Sequence, residues 1–131
     1  MLEPATILLA DDDPYVRKVL SAYLERAGFV VLSATNGEQA LEIARSFEGA
    51  IRILVSDVTM PGMHGTELAR TLTRERPDVK VLLISAAIMA PEALEPGWQF
   101  LPKPFAPQIL LDKVFAMSGV DPRADSQSAP N

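Results

Sequence analysis

Five short apolar runs, most of them closed by a polar residue, alternate along this chain with stretches in which apolar residues recur every three or four positions. Residues 5–10 are nearly all apolar, as expected of a strand covered on both faces. Runs at 29–33, 51–56 and 79–84 and a short one at 100–101 repeat the signal. Between the first two, Asp13-Pro14 supplies a helix N-cap and a proline for the first helical position. Val16, Val19, Leu20, Tyr23, Leu24 and Ala27 then follow at helical spacing, and Gly28 stands where a left-handed stop belongs. Asn36 with Gln39 reads as a capping pair for a helix to about Phe47, with Leu41, Ala44 and Phe47 on its apolar side. A helix over 64–75 carries Leu68 and Leu72 one turn apart, and Arg76-Pro77 ends it. Pro107 opens a last helix with Leu110, Val114 and Met117 on one face. Strands alternating with helices predict an α/β domain with a parallel sheet, and right-handed crossovers place helices on both faces.

At 131 residues the chain suits one domain, read here as 1–118. From 119 to 131 it is polar and poor in apolar residues, which predicts a disordered tail or linker. The segment 86–99 holds Pro91, Pro96 and Gly97, leaving room for a short helix only, over about 91–95. No cysteine is present, which excludes disulfides, thiolate catalysis and Cys-based zinc sites. The net charge of −5, without clustered Lys or Arg, argues against direct nucleic-acid binding. The N-terminus lacks a basic signal-peptide region, and the longest apolar stretch, 81–90, is too short to span a bilayer. The chain therefore reads as soluble and cytoplasmic, with no membrane contact of its own.

The candidate chemistry sits where the apolar runs end. Asp11 and Asp12 close the first, Asp57 the third, Ser85 the fourth, and Lys103 lies just past the fifth. In parallel sheets ligands bind beyond the carboxyl ends of the strands, at the point where strand order reverses. Taken singly, each residue has a plain reading: a solvated turn for the aspartates, a strand-ending hydroxyl for Ser85, a loop lysine between prolines for Lys103. Asp13 fits the plain reading as an N-cap. Two adjacent carboxylates repel, however, and a divalent cation removes that cost. Mg²⁺ takes oxygen ligands, commonly one or two carboxylates with waters and a phosphate oxygen. A carboxylate such as Asp57 can attack a phosphoryl group and carry it as an acyl phosphate. A stiffly held ammonium at Lys103 is a point charge for phosphate, and Ser85 a hydroxyl donor.

Ile7-Leu8-Leu9-Ala10-Asp11-Asp12-Asp13-Pro14, Ser56-Asp57-Val58-Thr59-Met60-Pro61-Gly62-Met63-His64-Gly65, Ile84-Ser85-Ala86 and Leu101-Pro102-Lys103-Pro104-Phe105 together resemble the receiver domain of two-component response regulators. The resemblance covers about residues 5–117. It implies a flavodoxin-like, doubly wound five-stranded parallel sheet of order 2-1-3-4-5. It further implies that Asp57 accepts a phosphoryl group from a histidine kinase or a His-containing transfer domain. Asp11, Asp12, Asp57 and the backbone carbonyl of Thr59 would hold Mg²⁺, directly or through water. Ser85 and Lys103 would contact the phosphoryl oxygens, the Lys103–Pro104 peptide would be cis, and Ser85 and Phe100 would form the switch that biases an unknown protein target.

Two departures from that family stand out. Phe100 replaces the commoner Tyr, and the segment between Ser85 and Phe100 is short and proline-rich, which puts the usual dimer face in question and resembles receiver modules of hybrid sensor kinases. His64 reads as a loop residue rather than a relay histidine. A module of this kind promotes its own phosphorylation and dephosphorylation and is not a turnover enzyme. Two other classes compete with it. A Mg²⁺-dependent phosphatase with an aspartyl-phosphate intermediate usually carries an acid two residues after the nucleophile, where this chain has Thr59. A phosphorylation-independent interaction module would have no need of Asp11, Asp12, Asp57, Ser85 and Lys103 together.

Overall fold

The structure, a computed structural model, describes residues 4–87 and 94–119. Five strands, β1 (Thr6–Ala10), β2 (Val30–Ala34), β3 (Ile53–Asp57), β4 (Lys80–Ser85) and β5 (Gln99–Pro102), form one sheet in the order β2-β1-β3-β4-β5. All neighbours pair in parallel. Four helices are present among the described residues: α1 (Pro14–Arg26), α2 (Gly37–Ser46), α3 (Gly65–Glu75) and α4 (Pro107–Ser118). This is the flavodoxin-like doubly wound order that the sequence resemblance implies.

Alternation along the strands divides the core into two layers. Ile7, Leu9, Ile53, Val55, Leu82 and Ile84 face α1 and α4, where Phe29 and Phe115 meet at a ring-centroid distance of 5.3 Å. Leu8, Leu54, Val81 and Leu83 face α2 and α3 and pack with Leu41, Leu68 and Leu72. Every residue of β1 and β3 is buried, which is why those runs are continuously apolar until their ends.

The helix ends follow the chemistry of their sequences. Asp13 caps α1 by accepting from the Tyr15 and Val16 N–H groups. At the other end Gly28 takes φ +103°. Its N–H donates to Glu25 O and that of Phe29 to Leu24 O, the paired bonds of a Schellman stop. Asn36 Oδ1 accepts from Gln39 N–H at 2.7 Å, while Gln39 Oε1 accepts from Thr35 N–H at 2.6 Å, so the capping pair closes one residue earlier than the standard box. Most predicted strands shift by a residue or two toward the C-terminus, which brings Asp57 and Ser85 into β3 and β4 as their last residues. Tyr23, assigned to the apolar stripe of α1, is exposed, although Leu24 in the same turn is fully buried. Of the short helix expected at 91–95, Leu94 and Glu95 are not helical, and 91–93 lie outside the described residues, as does the tail beyond Gly119.

Candidate functional site

β1 and β3 are neighbours at the centre of the sheet, so their C-terminal ends bring Asp11, Asp12 and Asp57 to one edge. One carboxylate oxygen from each lies within 4.8 Å of the others. Asp11 and Asp57 are buried and Asp12 is exposed. Lys103, two residues into the chain beyond Leu101 of β5, reaches back across β4. Its Nζ lies 3.1 Å from Asp57 Oδ2 and 3.6 Å from Asp11 Oδ2. The first distance is a charge-assisted hydrogen bond, and the second is too long for one and acts through charge alone. The Lys103–Pro104 peptide is cis, and Lys103 N–H donates to Ser85 O at 2.9 Å.

Asp11 is the most constrained of the acids. Its Oδ1 accepts from Asp13 N–H at 2.9 Å, whereas Oδ2 is buried with no hydrogen-bond partner. Burial pushes its carboxyl above the usual aspartate range, opposed by the Asp13 N–H and the Lys103 ammonium and reinforced by the charges of Asp57 and Asp12. Burial also works to lower Lys103. The hydrogen bond to Asp57 and the charges of Asp11 and Asp57 outweigh it and hold the ammonium above the usual lysine value. The site thus gathers three carboxylates, two of them paired in charge with the Lys103 ammonium, and leaves one buried Asp11 oxygen without a hydrogen bond. A divalent cation is the group that such a donor set fits: it would satisfy the orphaned Asp11 oxygen and offset the mutual repulsion.

The other expected site residues stand at varying distances from this centre. Ser85 is buried at the end of β4, one register step beyond Ile84, the partner of Asp57, and its Oγ accepts from Ala87 N–H at 3.0 Å. Thr59 is exposed in the β3–α3 loop. Phe100 is half-buried on the α2–α3 side of the sheet with Trp98 and Leu94, away from the carboxylates. His64 precedes α3 and makes no capping bond with its side chain.

Three supporting residues escaped the sequence reading. Arg17 of α1 donates from Nη1 to Asp11 O at 2.8 Å and so fixes the turn that carries both aspartates. Ser56 is fully buried and its hydroxyl donates to Asp57 O at 2.9 Å. Gly65 opens α3 directly against that same carbonyl, where a Cβ would collide with it. Only Gly65 leaves a signal in the sequence, as a poor helix former at a helix start.

A doubly wound parallel sheet with a cluster of acids and a lysine at its carboxyl edge defines a receiver-type α/β domain. The chain belongs to the response regulator receiver domain family, whose model matches residues 7–115. It is 38% identical over 106 residues to the sensor kinase CckA of Brucella abortus, covering 78% of this chain but 11% of that protein. The response regulator receiver protein CpdR of the same organism is 37% identical over 115 residues, covering 85% of this chain and 94% of CpdR. Among solved structures, the receiver domain of the hybrid histidine kinase CckA is similar with a TM-score of 0.76 at 35% identity, over 86% of this chain and 98% of that one. A response regulator receiver protein from Sinorhizobium medicae gives 0.80 at 30% identity, over 92% and 98%. The chain therefore spans a small part of some relatives and nearly all of others.

Proposed function

We propose that this domain is the phosphoacceptor of a two-component phosphorelay, taking a phosphoryl group on Asp57 from a histidine kinase or a His-containing transfer domain. The observation that carries this reading is the buried Asp57 carboxylate held 3.1 Å from the Lys103 ammonium, beside an Asp11 oxygen with no hydrogen-bond partner. Asp11, Asp12, Asp57 and the Thr59 carbonyl would hold Mg²⁺, which when bound supplies positive charge against the phosphoryl oxygens.

The chain's own residues do the rest. An Asp57 oxygen attacks phosphorus as the P–N bond of the donor phosphohistidine breaks, and the imidazole leaves with the electron pair. Lys103, now paired with Asp57 Oδ2, passes to a phosphoryl oxygen and keeps its charge neutralised. The Ser85 hydroxyl exchanges its bond with Ala87 N–H for one to the phosphoryl group, and Phe100 repacks behind it. An apolar groove of about 260 Å³ between α1 and the Pro104-Phe105 turn, lined by Tyr15, Val16 and Val19, opens beside Lys103 and gives the donor protein a place to seat. The domain promotes its own phosphorylation and dephosphorylation and regulates a protein target in a cytoplasmic pathway. No described helix is long and apolar enough to cross a membrane.

Intact mass after incubation with Mg²⁺ and acetyl phosphate tests this. One added phosphoryl group is expected in the wild type and none in Asp57→Asn or without Mg²⁺. A gain that persists in Asp57→Asn would refute the assignment.

A further inference from the structure

We infer that the start of α2 sets the β3–α3 loop in its metal-binding shape, through reciprocal packing of Met63 on Gly37 and of Glu38 over Gly62. This deepens the phosphoacceptor reading and rests on it, because that reading takes one metal ligand, the Thr59 carbonyl, from this loop.

The ends of the loop are tied to the sheet. Val58 N–H donates to Ile84 O and Gly65 N–H to Val58 O, both at 2.8 Å. Met60 is 2% exposed and belongs to the core beneath α2 and α3. Thr59 therefore sits between a hydrogen-bonded residue and a buried one. The remaining stretch, 61–63, leans on α2 instead. Gly62 has φ +80°, and the Glu38 carboxylate crosses it with Oε2 3.1 Å from where a Cβ would lie. Met63 in turn covers Gly37, its Cβ, Cγ and Sδ standing 2.9, 3.0 and 3.0 Å from the position of a Gly37 Cβ. Each segment thus provides a glycine for a side chain of the other.

Gly62 suits its own left-handed backbone, but Gly37 is not there for its own element. Gly37 is the first residue of α2, where alanine would favour the helix, and its φ is not left-handed. Close approach of Met63 is what excludes a side chain there. The wall that Met63 meets is rigid, since Asn36 caps the helix immediately before it. A ligand carbonyl on a loop already held in place loses little freedom when a metal binds. Gly37, Glu38 and Met63 are in this sense positioning residues: none of them belongs to the carboxylate cluster.

The test is Mg²⁺ titration of the full chain by calorimetry for wild type, Gly37→Ala and Met63→Ala, beside thermal unfolding of each without metal. The first variant pushes the loop away from α2 and the second removes its anchor. Each is expected to weaken Mg²⁺ binding roughly tenfold, the low end for residues supporting a metal ligand, while the metal-free protein stays folded at the titration temperature. Gly37→Ala combined with Met63→Gly moves the side-chain carbon to the other side of the contact and is expected to recover part of the loss. Wild-type affinity in both single variants overturns the inference, as does a loss that merely follows the fraction unfolded. Absence of Mg²⁺ binding in the wild type removes the phosphoacceptor reading itself and this inference with it.

Discussion

Gly65→Ala probes whether α3 really rests on the backbone of the proposed phosphoacceptor. A Cβ at this position would overlap the Asp57 carbonyl oxygen and stand 2.9 Å from Ser56 Oγ. Non-bonded carbon and oxygen settle at about 3.3 Å or more, so the start of α3 must retreat by on the order of 1 Å. The obstacle is main chain, tied down by the Ser56 hydroxyl and the β3–β4 pairing, and cannot rotate aside as a side chain would. Overpacking of this kind costs about 1–3 kcal/mol, and a backbone obstacle belongs at the upper end. The better helix propensity of alanine returns a fraction of at most about 1 kcal/mol. The net loss is about 2 kcal/mol, a fall in midpoint of roughly 6–10 °C for a domain of this size. Circular dichroism during thermal unfolding, with EDTA present, measures it. An unchanged or raised midpoint would mean that helix propensity dominates and that α3 does not seat on Asp57.

Asp11→Asn should stabilise the metal-free protein by about 1 kcal/mol at pH 7, since function-bearing strain is what such replacements relieve. With the folded pKa above the unfolded one, Asp11 favours folding only while protonated, and that contribution is lost as pH rises through the folded value. The advantage of the variant should therefore vanish in acid near the ordinary aspartate pKa, and a constant advantage from pH 3 to 8 would contradict the burial argument. Saturating Mg²⁺, at about 100 times its dissociation constant, should add about 2.7 kcal/mol to the wild type and little to Asp11→Asn, as read by midpoint shifts. Arg76→Met should cost about 1.5–3 kcal/mol in urea unfolding, because its guanidinium donates to Ala44 O, Phe47 O and Gly49 O and so closes the end of α2. Glu75→Gln, which breaks only the exposed pair with Arg45, should leave the urea midpoint at the wild-type value.

Much of this was readable from the order of residues. Continuous apolar runs ending in Asp, Asp and Ser give a buried parallel strand and its chemical terminus at once, because a parallel sheet hides both faces of a strand and frees it only at the end. The caps at Asp13 and Asn36 were legible for the same local reason. What was not legible depends on contacts between distant elements. Arg17 looks like any exposed helix arginine until the turn at Asp11 places a carbonyl before it. Arg76 looks like a helix stop, yet it bonds a different helix. Tyr23 matches the apolar spacing of α1 but stays exposed beside the buried Leu20 and Leu24, since periodicity fixes a face and not how deep each position on it lies.

Several places where this sequence breaks local rules fall around one site. Glycine opens both α2 and α3, against helix propensity; in each case a residue of the β3 end or its loop occupies the space of the missing side chain. Two aspartates follow β1, and the buried one keeps an oxygen without a hydrogen bond. A lysine stands between prolines and spans β4 to reach a carboxylate on β3. None of these choices improves the strand or helix that carries it. Local preference and global fold agree throughout the two core layers and part company here, and that is the pattern expected where stability is given up for binding. The metal-free domain is accordingly expected to be less stable than its core would allow, and cation or phosphoryl binding to be the event that relieves it.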